Sequence, residues 1–365
     1  MDNASAQGSP IFSDVVKIKV IGVGGAGGNV VSKMVSDGVT GCEFVIINTD
    51  RPALDVAAAD VKLQIGEKLT SGRGAGSDPL IGRRSTEESR NSIIKIFEDA
   101  DLVFITAGMG GGTGTGAVPV IADIARECGV LSIGVVTTPF KFEGARKSRI
   151  AADGIDALKS KVDTLVVIPN EKLREVAPKN VSLANAFGIA DGVLKQAVIN
   201  IADLLRSTSY INLDFADLRT ILKNAGNAHM GVGEATGSDK IAAASQAATA
   251  SALMGTSVAG ARRILIKVVG SPDITMEDVE QVVGTVQDYA HPDSNIIFGV
   301  DFEDDRKDSI RVVVIAADYV DDPARADGSP AAYRQEPEVG TGSAYDYANS
   351  APSSDWGSLL DDLLK

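Results

Sequence analysis

Apolar positions along the chain fall into two periods. "VKIKVIGVG" (16–24), "EFVIINTD" (43–50), "DLVFITAG" (101–108), "VLSIGVVTTPF" (130–140) and "VDTLVVIPN" (162–170) are short apolar runs rich in β-branched residues, each closed by turn or polar residues. Runs with little polar alternation predict strands covered on both faces, as in a parallel sheet. Between them, "GGNVVSKMVSDGV" (27–39), "AVPVIADIARECG" (117–129) and the stretch 148–161 carry apolar residues at helical spacing. The alternation predicts an α/β doubly wound sheet of Rossmann type. Residues 182–209 read as one long helix with no strand beside it, a connector to a second unit. From "RRILIKVVG" (262–270) the order changes to strand, helix (275–290), strand "NIIFGVDF" and strand "IRVVVIAA", which predicts a smaller mixed sheet.

Composition narrows the picture. A chain of 365 residues with 44% hydrophobic content holds enough core for two domains. After Tyr319 the composition turns to Pro, Gly, Ser, Ala and Asp, and residues 321–365 carry nine acids against three bases, so this tail is expected to be disordered. A net charge of −14 argues against nucleic acid and against a grip on anionic membrane. The first dozen residues lack the basic start and apolar run of a signal peptide, and no uninterrupted apolar stretch of ~18 residues occurs, so a cytoplasmic protein without membrane insertion is expected. Cys42 and Cys128 have no metal-like spacing and are expected to be buried thiols.

Two glycine clusters carry the chemistry. "GVGGAGGN" (22–29) follows a strand and opens a helix, and Gly22, Gly24 and Gly27 satisfy GxGxxG. With Asp50 closing the next strand this approaches the dinucleotide fingerprint, so an NAD-dependent oxidoreductase is a rival reading. "GGGTGTG" (110–116) spends five of seven positions on glycine after another strand of the same sheet, where a Rossmann enzyme needs only one such cradle. No GK[ST] follows, which excludes a Walker P-loop. Phosphate charge would then be met by backbone amides, the hydroxyls of Thr113 and Thr115, helix dipoles and a bound Mg²⁺.

These segments, with "NTD", "GEKLTSGRGAG", "PFKFEG", "IPNEKL" and "NLDFADLRT" in the same order and spacing, resemble the FtsZ family, the bacterial cell-division relatives of tubulin, over about residues 14–320. The resemblance implies a tubulin/FtsZ-like fold. Residues 1–12 would be an extension, 13–181 the GTP-binding domain, 182–209 the central helix, 210–320 a second domain with a catalytic loop and 321–365 the tail. It implies GTP/GDP with Mg²⁺, head-to-tail self-assembly and a place at the division site. Carried over by position, Gly24, Gly25, Ala26, Gly27, Gly28 and Asn29 form one phosphate loop and Gly110, Gly111, Gly112, Thr113, Gly114 and Thr115 another. Ala75 and Gly76 would lie near the γ-phosphate, and Glu143 would hold the ribose hydroxyls. Phe187, Asp191 and Asn170 would meet the base. The family's arginine four residues after the glutamate is here Lys147, preceded by Arg146, and either can supply the cation.

Asp214 and Asp217, spaced i, i+3 at a helix start, allow two readings: a helix cap with an acid favouring the dipole, or a catalytic pair. The resemblance implies that Asn212, Asp214 and Asp217 insert into the neighbouring subunit's pocket and polarise water for attack on the γ-phosphate. A filament protein that binds GTP without hydrolysing it is the further alternative. Trp356, Leu359, Leu360, Leu363 and Leu364 share one face of a helical register, fit to dock an anchor or regulator protein of the division ring. That segment departs from the family's Pro-containing basic ending.

Overall fold

The computed structural model describes residues 16–176, 182–206, 210–211, 213–250, 256–303, 306 and 308–319. Asn212, the extension 1–12 and the tail 321–365 lie outside them. The strands are β1 (Ile18–Val23), β2 (Glu43–Asn48), β3 (Val61–Gln64), β4 (Leu102–Gly108), β5 (Leu131–Thr138), β6 (Thr164–Pro169), β7 (Gly226–Thr236), β8 (Ala261–Gly270), β9 (Asn295–Phe302) and β10 (Ser309–Tyr319). They form one sheet in the order β3-β2-β1-β4-β5-β6-β7-β10-β8-β9.

The first six strands are parallel, and period two sorts their side chains between two cores. Ile18, Val20, Phe44, Ile46, Leu102 and Phe104 face the helix Gly24–Ser36 and the central helix Leu183–Arg206. Ile21, Val23, Val45, Ile47, Val103 and Ile105 face the helix Thr113–Glu127 and its neighbours. Both faces of β1, β2, β4, β5 and β6 are thus dry, as the near-continuous apolar runs require, while β3 at the edge stays part-exposed. The central helix buries Ile189, Val193, Leu194, Val198, Ile201 and Leu204, each worth ~1.5–3 kcal/mol of transfer.

The mixed half of the sheet is continuous with the parallel half, since Gly226 and Asn227 at the start of β7 pair in parallel with Thr164 and Leu165 of β6. Strand β10 then runs antiparallel to β7 and β8, and β9 closes the edge parallel to β8. The cysteine expectation needs correction: Cys42 is half-buried, and Cys128 is exposed because it caps the solvent end of Thr113–Glu127. Among the described residues, no helix is long and apolar enough to cross a membrane.

Candidate functional site

A cleft of about 270 Å³ opens at the carboxyl ends of β1, β4, β5 and β6, near the lower bound of the ~300–1,000 Å³ usual for small-molecule sites. Val23, Gly24, Gly25 and Ala26 line one wall, and Gly108 to Gly114 line another. The helices Gly24–Ser36 and Thr113–Glu127 both start here, and neither has a side-chain cap or an acid in its first turn. An uncapped N-terminus leaves orphan N–H groups and partial positive charge. Two of them meet: a Cβ on Gly24, whose φ is +72°, would lie 3.1 Å from the Gly114 nitrogen. Two such helix starts converging are suited to an extended anion such as a polyphosphate.

The second loop is clamped from behind. A Cβ on Gly112 would come within 2.8 Å of the Asp78 nitrogen and 2.9 Å of Ala75 Cβ, so Ala75 backs the glycine loop. Thr115 is buried, and its Oγ1 accepts from the Gly110 N–H at 2.9 Å. It ties the loop rather than lining the cleft, as its place in the phosphate loop would have had it do. Thr113 lines the cleft while its hydroxyl shares a 2.7 Å hydrogen bond with that of Thr49. Gly27 and Gly28 sit beneath the cleft in strand–helix packing, where a Cβ on Gly27 would meet the Thr106 carbonyl oxygen at 2.3 Å. Asn29 and Gly76 are exposed and outside the cleft lining.

The other end of the cleft collects Glu143, Lys147, Asn170, Phe187 and Asp191. Glu143 Oε1 accepts from the Phe140 N–H and Oε2 from Lys147 Nζ, both at 3.0 Å. Lys147 is therefore the cation at the cleft, whereas exposed Arg146 is not among its lining residues. Asn170 is buried and its Oδ1 has no partner, a buried acceptor pointing to a missing donor. Burial lifts the Asp191 carboxyl to about 6, against the pull of Lys33. Phe187, 39% exposed, stands edge-on to Phe140 and Phe142, whose rings stack at 5.1 Å. The sequence reading missed these two partners, although both stand in the quoted "PFKFEG". Asp50, the ribose ligand of the oxidoreductase reading, is instead the N-cap of the helix Arg51–Val56, accepting from the Ala53 N–H.

Asp214 and Asp217 do not line the cleft. They form a capping box on the helix Phe215–Leu222: the Asp217 N–H donates to Asp214 Oδ1 at 2.8 Å and the Asp214 N–H to Asp217 Oδ2 at 3.2 Å. Each carboxylate commits one oxygen to the box. The central helix carries Asp191 at the cleft, and the fifteen-residue run down to Arg206 covers about 22 Å. Beyond it, Ile211 bridges to Val300 of β9, and Leu222 accepts from Thr164 Oγ1 at the start of β6. The acids thus follow the far end of the central helix, and their helix ends at the amino edge of the parallel strands, opposite the cleft.

The model of the Tubulin/FtsZ family, GTPase domain, matches residues 17–178, and that of the FtsZ family, C-terminal domain, matches residues 226–320. Among solved structures, an empty FtsZ dimer from M. jannaschii is 41% identical with a TM-score of 0.77, covering 83% of this chain and 88% of that one. CetZ2 from Haloferax volcanii, a GTPγS-bound protofilament, is 22% identical with a TM-score of 0.70, covering 82% of this chain and 92% of its own. CetZ1 from the same organism, a GDP-bound monomer, is 21% identical with a TM-score of 0.71, covering 84% and 96%. The two CetZ proteins share the fold.

Proposed function

The chain belongs to the FtsZ family of tubulin-like GTPases, and from that premise we propose that it polymerises head to tail and hydrolyses GTP at a site shared by successive copies. The observation that carries the reading is the separation just described: the nucleotide cleft and the paired acids lie at opposite ends of the central helix. Stacking one copy on the next brings the two ends together. The M. jannaschii relative is itself described as a dimer.

In this reading the phosphates lie on the two helix starts and the loop Gly110–Gly114. Glu143 receives the ribose hydroxyls, Phe187 stacks on guanine, and Asp191 accepts from its ring N–H and amino group. Guanine can also supply the donor that Asn170 Oδ1 lacks. The lining of the glycine loops offers no carboxylate, and among the described residues no cluster of His, Cys, Asp or Glu fits a metal. A Mg²⁺ would accordingly be held by phosphate oxygens, beside Thr113, and would neutralise phosphate charge. The next copy brings Asp214 and Asp217, with Asn212, to orient and polarise a water. That water adds to the γ-phosphorus, the bond to the bridging oxygen breaks, and GDP and phosphate leave. The polymer would form the ring at the division site, with anchor or regulator proteins contacting residues 354–364.

Light scattering and phosphate release, followed together as protein concentration is raised with GTP and Mg²⁺, test this. Activity should show a threshold that coincides with assembly. Activity strictly proportional to concentration down to high dilution would contradict it.

A further inference from the structure

A second groove, of about 280 Å³, lies at the amino edge of the parallel strands, away from the cleft. Its floor is apolar, from Val61, Leu63 and Ile96, and its rim carries Lys19, Lys62 and Lys95 against one acid, Glu43. Lys19 is held by Glu43 at 2.8 Å. Lys62 reaches only the Asp55 carbonyl at 3.4 Å, and Lys95 pairs with no acid among the described residues. Both of these lysines are exposed. An apolar floor under a basic rim fits an acidic amphipathic segment.

The chain contains one. In residues 354–364, Trp356, Leu359, Leu360, Leu363 and Leu364 recur at i, i+3, i+4, i+7 and i+8, with Asp355, Asp361 and Asp362 among them. The topology delivers this segment to the right edge. Strand β10 runs down to Tyr319, and the Asp318 N–H donates to the Ala225 carbonyl, whose own N–H donates to the Asp163 carbonyl just before β6. The chain therefore leaves the sheet from β10 at the amino edge of the parallel strands, seven strand spacings from β3, or about 34 Å. A linker of the length and Pro/Gly/Ser-rich composition of residues 320–353 has a comparable root-mean-square reach of about 30 Å. Tethering at that range gives an effective concentration near millimolar, so a contact too weak to hold between separate molecules is populated within one.

We propose that residues 354–364 dock in cis on the groove of Lys19, Lys62 and Lys95, withholding the segment from other proteins until a tighter partner displaces it. The groove shares no residue with the cleft and lies on the side that stacking would turn toward the next copy, so docking is proposed for the unassembled chain and does not depend on GTP being hydrolysed between copies.

Trp356 is the only tryptophan, so its fluorescence reports the segment in the intact chain. With GDP and below any assembly threshold, the parent should show blue-shifted emission and acrylamide quenching about twofold weaker than the double variant Lys62→Glu/Lys95→Glu, as half-occupancy at millimolar effective concentration gives. Adding Asp361→Lys/Asp362→Lys to that variant should restore protection, and high salt should abolish it in the parent. Trp356 equally quenched in the parent and the double variant would overturn the proposal. Protection that the lysine changes leave intact would place the segment elsewhere and overturn it too. Protection that grows with protein concentration would assign the groove to another copy's tail and overturn docking in cis.

Discussion

Asp217→Asn separates the two things this residue can do. In the capping box its Oδ2 accepts from the Asp214 N–H at 3.2 Å and its own N–H donates to Asp214 Oδ1 at 2.8 Å. Asparagine retains an amide oxygen for the first bond and the backbone N–H for the second. What it loses as a cap is a first-turn negative charge, worth ~0.3–1 kcal/mol at an exposed helix start. For a domain of this size that lowers the melting temperature by no more than about 4 °C. If the carboxylate also polarises water in a neighbour's cleft, turnover should fall by roughly 10² or more, about 2.7 kcal/mol of barrier. The excess over the capping cost is the measure of catalysis. Thermal unfolding, GTP binding by the isolated chain and phosphate release above the assembly threshold supply the three numbers. Binding should be unchanged, stability slightly reduced and assembled polymer longer lived. Turnover close to the parent's in polymer that forms normally would leave Asp217 as a helix cap alone and refute the catalytic role.

Glu143→Ala removes the acceptor proposed for the ribose hydroxyls and releases Lys147, so GTP should bind roughly ten- to a hundredfold more weakly, the equivalent of a charge-assisted hydrogen bond of ~1.5–3 kcal/mol. Lys147→Arg should bind at least as well as the parent in the same titration, whereas dependence on Arg146 would contradict the arrangement at the cleft. If Asp191 meets guanine as proposed, its carboxyl, lifted by burial to about 6, can accept from both guanine donors only when ionised, so GTP affinity should fall as pH drops through about 6 and the fall should vanish in Asp191→Asn. Stability without nucleotide should run the other way. The folded value lies above the unfolded one of 3.8, so Asp191 adds stability as pH falls from about 6 toward 4. Buried His229, pushed down to about 4, loses stability as pH falls from 6.5 toward 4. The Asp191 contribution is therefore read as the difference between parent and Asp191→Asn in denaturant titrations, and a difference that does not change with pH would refute it.

Five of the six parallel strands were legible because both of their faces are buried, which removes polar alternation and leaves plain apolar runs, whereas the short, part-exposed edge strand β3 leaves no such run. Strand β7 was not legible either, since "GNAHMGVGEAT" reads as turn-rich. Its glycines admit a helix: a Cβ on Gly231 or Gly233 would lie 1.6 or 1.9 Å from the carbonyl oxygens of Ala248 or Ala244 in the helix Lys240–Thr249. The glycine loops of the cleft were legible for the opposite reason, because each stands between a strand and a helix start. What spacing could not reveal was which residues turn inward. Thr115 spends its hydroxyl on the loop, Gly27 and Gly28 on packing, and Phe140 and Phe142 steady Phe187 from a segment quoted for its glutamate. The i, i+3 acids left capping and catalysis both open, and the capping box accounts for one oxygen of each carboxylate while leaving the other without a task in the isolated chain.

Mixing two inactive variants tests the shared site most directly. Gly112→Ser puts a Cβ within 2.8 Å of the Asp78 backbone and spoils the nucleotide cleft, yet leaves Asp214 and Asp217 untouched. Asp217→Asn does the reverse. Each alone should release little phosphate, and a mixture that co-assembles should regain activity, because wherever a Gly112→Ser copy presents its acids to an Asp217→Asn copy's cleft, one complete site forms. Co-assembly, shown by co-sedimentation of the two labelled chains, without any recovery of phosphate release would mean that the cleft and the acids do not act on one GTP.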